Sequence, residues 1–156
     1  MKQELKYDYL KRQFNLPDDC RIEKTGNYYK IVNMDHCLQS FKGILPLHRY
    51  ILFEYLERPS HSLCHWCGYS LPWKSSLTNT GPSVVHVDHF DENTENNNPE
   101  NLKPSCYWCN INRKWAREYP EFWSNWRKWM RDVPPAYRPN LISIAEDYGI
   151  YPNIER

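Results

Sequence analysis

The sequence predicts an α+β fold, and three observations carry that expectation. "IEKTGNYYKIVNM" reads as strand, Gly-containing turn, strand. "VVHVDHF" alternates apolar and polar groups as a half-buried strand does, and "NLKPS" reads as a short extended return. Helical spacing appears at both ends of the chain, and two Cys-x-x-Cys pairs bracket its middle.

In chain order, Leu5, Tyr9 and Leu10 mark a helix within residues 1 to 14, which "NLPDD" breaks. The hairpin follows. "PLHRYILFEYLER" then has Pro46 at a first helical position and apolar residues at Leu47, Ile51 and Tyr55. "RPSHS", residues 58 to 62, is a connector. Cys64 and Cys67 flank His65 and Trp66, with Gly68 where a backbone turns tightly around a metal. After the loop "SSLTNTGPS", Val85 and Val87 share one strand face and His86 and Asp88 the other. Cys106 to Cys109 open a helix through Arg117. Pro120 starts another, with Phe122, Trp126, Trp129 and Val133 on one side, and "PPAYRPN" follows the surface. This divides the chain into an N-terminal extension (1–58), a cysteine-braced core (59–118) and an aromatic, basic C-terminal part (119–156).

With 156 residues and 40% apolar content the chain suits one domain with a modest core. Net charge is +1 but uneven. Asp88 to Glu100 holds five acids and no Lys or Arg, whereas Lys103 to Arg131 holds seven cations against Glu118 and Glu121. A local surplus of that kind attracts phosphate even when the total is near zero. The charged N-terminus lacks a signal-like apolar run, and no stretch approaches the ~20 apolar residues of a membrane span, so the expectation is a soluble, intracellular protein with no membrane partner. In a reducing compartment the paired cysteines read as metal ligands, leaving Cys20 and Cys37 as buried thiols.

Cys64, Cys67, Cys106 and Cys109 supply four soft thiolates, enough to close a tetrahedral zinc shell with no position left for water, which makes the site structural. His61 and His65 are then surplus to the shell. The 38 residues between Cys67 and Cys106 loop out a separate element. Within it Asp88 and His89 end a strand, Asn101 lies twelve residues beyond His89, and Asn110 directly follows Cys109. The spacing allows a hairpin strand to return and deliver Asn110 opposite Asp88, with room for a hard oxygen-ligand site between strand and helix. The bland alternatives are an ordinary Asp-His dipeptide and, for Asp91, Glu92, Glu95 and Glu100, a solvated acidic loop.

"CHWCG", "VDHF", "NNNPENL" and "CYWCN", in that order over residues 62 to 117, resemble the HNH endonucleases in the subgroup braced by two Cys-x-x-Cys knuckles. The resemblance implies a ββα-metal core stapled by a four-cysteine zinc site and metal-dependent hydrolysis of DNA, by nicking or double-strand cleavage. His89 matches the general base. Asp88 and Asn110 match the ligands of a catalytic divalent cation, Mg²⁺ or Mn²⁺. Asn101 matches the asparagine that holds the loop through backbone hydrogen bonds. The last motif residue, often His in the family, is Asn110 here, and a histidine that some members carry one helical turn later is replaced by Lys114. His86 is an accessory candidate. Arg113, Lys114 and Arg117 on one helix, and Arg127, Lys128 and Arg131 on the next, are the candidate phosphate contacts. Double-stranded DNA is the implied partner, with a second copy of the chain or a phage packaging or replication protein beside it. A zinc-stapled binding module without catalysis and a structure-selective junction nuclease are the competing readings.

Overall fold

The computed structural model describes residues 6–40, 43–66, 68–74, 84–107 and 109–111. Cys67, and every residue from 112 onward, including the six candidate phosphate contacts, lie outside the described residues. Within them the fold mixes short helices with three small antiparallel sheets. No helix there is long and apolar enough to cross a membrane.

Helix α1 is shorter than its sequence pattern, Asp8–Gln13, with Asp8 in the first turn and Lys11 and Arg12 in the last, each on the favourable side of the helix dipole. Its end is a left-handed cap on Asn15 (φ 53°), where Leu16 N donates to Lys11 O at 2.9 Å and Asn15 N to Arg12 O at 3.4 Å. The hairpin forms as read: β1 (Arg21–Thr25) pairs with β2 (Tyr28–Val32) in the register Thr25↔Tyr28 through Arg21↔Val32. The two-residue loop is Gly26-Asn27. Gly26 takes φ +59° at its first position, a conformation that glycine adopts without steric cost.

Two elements depart from the sequence expectation. A third strand, β3 (Ile44–Pro46), pairs with β2, so the hairpin is a three-stranded sheet in the order β1-β2-β3. Pro46 therefore ends an edge strand, where its missing N–H costs nothing, and caps rather than begins α2 (Leu47–Tyr55). The expected connector also contains structure: His61 opens β4 (His61–Leu63), which pairs with β5 (Ser70–Pro72) around the first cysteine knuckle.

Helix α2 is the centre of the fold. Leu47, Arg49, Tyr50, Ile51, Leu52 and Phe53 are all buried on it, because it packs against β2 and β3 on one side and against β6 (His86–His89) and β7 (Leu102–Ser105) on another. It ends in a second left-handed cap: Glu57 has φ 60°, and Arg58 N donates to Phe53 O at 2.9 Å. One hydrophobic cluster runs from Leu10 and Ile31 through Phe53 and Trp73 to Val85 and Leu102. Cys20 belongs to it, but Cys37 is exposed: its segment runs outside the sheet, with only its neighbours His36 and Leu38 turned inward.

Strands β6 and β7 form the second hairpin that the alternation predicts, paired His86↔Ser105 through His89↔Leu102. The expected division into a buried valine face and a polar face holds only in part, since Asp88 and His89 are buried as well as Val85 and Val87. After Cys106 a helix opens at Tyr107, and it is described only as far as Ile111.

Candidate metal centre and active site

The thiol groups of Cys64, Cys106 and Cys109 lie within 4.8 Å of one another, all buried and none in a disulfide. Three separate chain features converge to place them. Cys64 follows β4, and Gly68, with φ +77°, lets the chain fold back so that Gly68 N donates to Cys64 O and Cys64 N to Tyr69 O, both at 2.8 Å. Cys106 follows β7. Cys109 sits one helical turn on, its N–H donating to Cys106 Sγ at 3.3 Å. His65 N donates to Pro104 O at 2.8 Å, tying the first knuckle to the strand that leads into the second. Such a buried soft cluster can hold a metal ion: four thiolates at ~2.3 Å from zinc stand about 3.8 Å apart, compatible with the spacing here.

The asparagine-rich loop between β6 and β7 is organised by side chains bonding to backbone. Asn101 Oδ1 accepts from Asp91 N at 3.0 Å, and Asn101 Nδ2 donates to Asn96 O and to Asp91 Oδ1, both at 2.9 Å. Asp91 in turn accepts from Asn93 N and Asn96 Nδ2. The Asn96 amide, then the Asn93 N–H, hold the Asp91 carboxyl below its usual range. Asn93, Asn96 and Asn98 each accept from a backbone N–H two residues on. Within the acidic run, the Asp91 carboxylate is thus part of the loop's architecture. Glu95 pairs with Lys24, and Thr94 Oγ1 donates to Asn27 O at 2.8 Å, which ties the loop to the N-terminal hairpin.

His89, 4% exposed, ends β6 inside this frame. Its Nε2 lies 3.0 Å from Asn97 Oδ1. An amide oxygen only accepts, so the contact selects the tautomer with hydrogen on Nε2 and leaves Nδ1 as the basic nitrogen of the neutral ring. His48 from α2 stands with its ring 5.2 Å from that of His89, and Tyr28 from β2 at 6.2 Å. Burial first, then the charges of His89, Arg49 and His86, push His48 down to about 3, so at neutral pH it is an uncharged neighbour.

Asp88 is also 4% exposed, and its Oδ2 accepts from Trp66 Nε1 of the first knuckle at 3.0 Å. The Trp66 ring stacks parallel to half-exposed Phe90 with centroids 6.0 Å apart. Asn110 is placed by a bond from its N–H to Cys106 O at 3.0 Å, and it lines a cavity together with His86 and His48. Asp88 is not among the described residues lining that cavity. The structure thus gathers His89 with the loop that Asn101 pins, and Asn110 with His86, whose ring meets Tyr107 at 5.6 Å. His61 is exposed and bonds its neighbour Ser60, and neither it nor His65 joins the thiol cluster.

Two residues of this site, His48 and Asn97, carry no signal in the sequence motif. Asn97 lies in an asparagine run where nothing distinguishes it from Asn96 or Asn98, and His48 lies outside the motif-bearing stretch altogether. Compared with protein-family models, curated proteins and solved structures, the chain matches none.

Proposed function

We propose that the chain is a metal-dependent endonuclease of the HNH kind, hydrolysing phosphodiester bonds in DNA. The observation that carries this reading is the anchoring of His89: a buried imidazole at a strand end, its Nε2 bonded to Asn97 and its loop pinned at two backbone points by Asn101. A buried imidazole N–H needs an acceptor in any role; what supports a general base is that this bond and the pinned loop together fix the direction in which the other nitrogen points.

In this reading the thiol cluster, completed by Cys67, would hold structural zinc and fix the helix that opens at Tyr107 and carries Asn110. Asp88 and Asn110 offer a carboxylate and an amide oxygen, donors that suit hard Mg²⁺ or Mn²⁺. When bound, the cation supplies positive charge for a phosphate oxygen and the departing oxygen. His89 Nδ1 takes the proton of the attacking water as its oxygen bonds to phosphorus. The bond from phosphorus to the 3′ oxygen breaks, that oxygen takes a proton from solvent water, and the ends are 5′-phosphate and 3′-hydroxyl. Asn97 keeps the hydrogen on Nε2 throughout.

The deep burial of Asp88 and His89 is the feature that favours a binding module instead. Incubating the protein with supercoiled plasmid and Mg²⁺ or Mn²⁺ separates the two. Nicked or linear DNA is expected, and DNA that is bound but left supercoiled at every metal concentration refutes the nuclease.

A further inference from the structure

Between the β1–β2 hairpin, the first turn of α2 and the approach to β6 lies a cavity of ≈ 350 Å³, in the ~300–1,000 Å³ range of small-molecule sites. Its walls combine flat and apolar groups, Tyr28, His48 and Val85, with the polar Lys30, His86 and Asn110. No Asp or Glu is among the described residues that line it. Arg49 also reaches it and is 7% exposed. Its terminal nitrogens donate to Val85 O and Trp73 O, while Nε has no partner among the described residues.

The guanidinium lies over the Trp73 ring, 5.1 Å from its centroid, and bonds to carbonyls; no carboxylate among the described residues neutralises it, and its charge favours an anion nearby. Burial lowers Arg49 only to about 10, so it remains protonated at neutral pH. Lys30 adds a second cation. It pairs with Glu23 at 3.2 Å, but this is a solvent-accessible contact of the kind that contributes little and that a phosphate displaces readily. Tyr28 is 49% exposed at the edge, its ring 5.6 Å from that of His48. An occupant matching these walls is flat, of roughly nucleotide size and anionic at one end. A base within a duplex is stacked and paired, so it can enter only after leaving the stack.

We propose that this cavity receives one unpaired nucleotide of the strand being cut, its base against Tyr28 and His48 and its phosphate toward Lys30 and Arg49. That the strand is cut rests on the nuclease reading; the binding of an unpaired nucleotide does not. The enzyme then prefers DNA carrying a bulge or flap beside the scissile bond over a fully paired duplex.

The test uses two duplexes that carry 2-aminopurine at one position, either paired or as a single-nucleotide bulge, mixed with the protein without added divalent cation. The bulged duplex is expected to bind about tenfold more tightly, the size of one base-aromatic stacking contact, with a change in 2-aminopurine fluorescence. Tyr28→Ala removes most of that preference. Thr25→Trp, at an exposed position on the cavity edge, blocks it while far-ultraviolet circular dichroism and zinc content stay native. Should Thr25→Trp misfold, Tyr28→Ala carries the test. Equal affinities with unchanged fluorescence overturn the proposal. Adding Mg²⁺ to the same samples separates the readings: cutting without the fluorescence change sinks this inference alone, the change without cutting sinks the nuclease alone, and neither sinks both.

Discussion

His89 is held by groups from three parts of the chain: Asn97 of the loop, His48 of α2 and Tyr28 of β2. If it is the base, His89→Ala lowers the cleavage rate by about 10²–10⁴ while zinc content and DNA affinity stay unchanged. Asn97→Ala removes only the bond that sets the tautomer and costs about tenfold in rate, the worth of one buried hydrogen bond. Single-turnover cleavage alongside equilibrium binding checks both. A rate unaffected by His89→Ala excludes it as the base. His48 makes a separate, pH-dependent contribution. Its ordinary value is 6.5 and its folded value about 3. Between these the unfolded chain binds a proton at His48 that the folded chain does not, so stability falls as the pH falls through that window, by at most ~1.4 kcal/mol per pH unit. Above the ordinary value the contribution is complete. His48→Phe keeps a ring beside His89 and removes this slope. Urea melts at pH 7 and pH 5 for both proteins test it, and an equally steep acid loss in His48→Phe refutes the assignment.

The loop from Phe90 to Asn101 owes its shape to a few side chains, and Asn101 acts at both ends of it. Asn101→Ala deletes its two bonds to backbone and one to the Asp91 side chain, a loss of about 1.5–4.5 kcal/mol at ~0.5–1.5 kcal/mol net for each bond. Faster hydrogen exchange at the Asp91 amide is the specific sign, because that N–H donates to Asn101 Oδ1. Unchanged exchange there means that the loop is held by its other turns. The role of Asn101 as a backbone tether was legible from its motif position, as were both hairpins, where alternation and the Gly26 turn give a clear period. The three-residue strands β3, β4 and β5 were not legible, since three residues are too few to show a period of two. Pro46 was misplaced by one position for a related reason: proline is at home both at a strand edge and at a helix start, and its own pairing with Lys30 across the sheet decides between them. His48 and Asn97 could not be read as site residues, because what makes them so is contact across the fold rather than any local pattern.

At the scale of the molecule, the metal cluster and the hydrophobic core are one structure. Cys64, Cys106 and Cys109 belong to the same buried cluster as Leu10, Ile31 and Phe53. Cys106→Ser is therefore expected to lower zinc content and abolish cooperative melting together; a cooperative melt with no bound metal removes zinc from the fold. The same continuity predicts the behaviour of residues 59–156 produced alone. Without α2 the carbonyls of Val85 and Trp73 exchange their Arg49 donor for water, at a net cost of about 0.5–1.5 kcal/mol for each bond. The Trp73 ring loses Phe53, which it meets at 5.2 Å, and the buried Val85 and Leu102, which lie against α2, are uncovered at ~25 cal/mol for every Å². Without the hairpin, Glu95 and Thr94 lose Lys24 and Asn27. These losses rival the ~5–15 kcal/mol that holds a whole domain folded. The fragment is expected to bind zinc only weakly through its cysteine pairs and to show no cooperative transition, and adding residues 1–58 as a separate chain restores one if the interface alone was missing. Calorimetry and zinc titration of the fragment check this. A fragment that melts cooperatively with one tightly bound zinc makes residues 1–58 an accessory rather than half of the core.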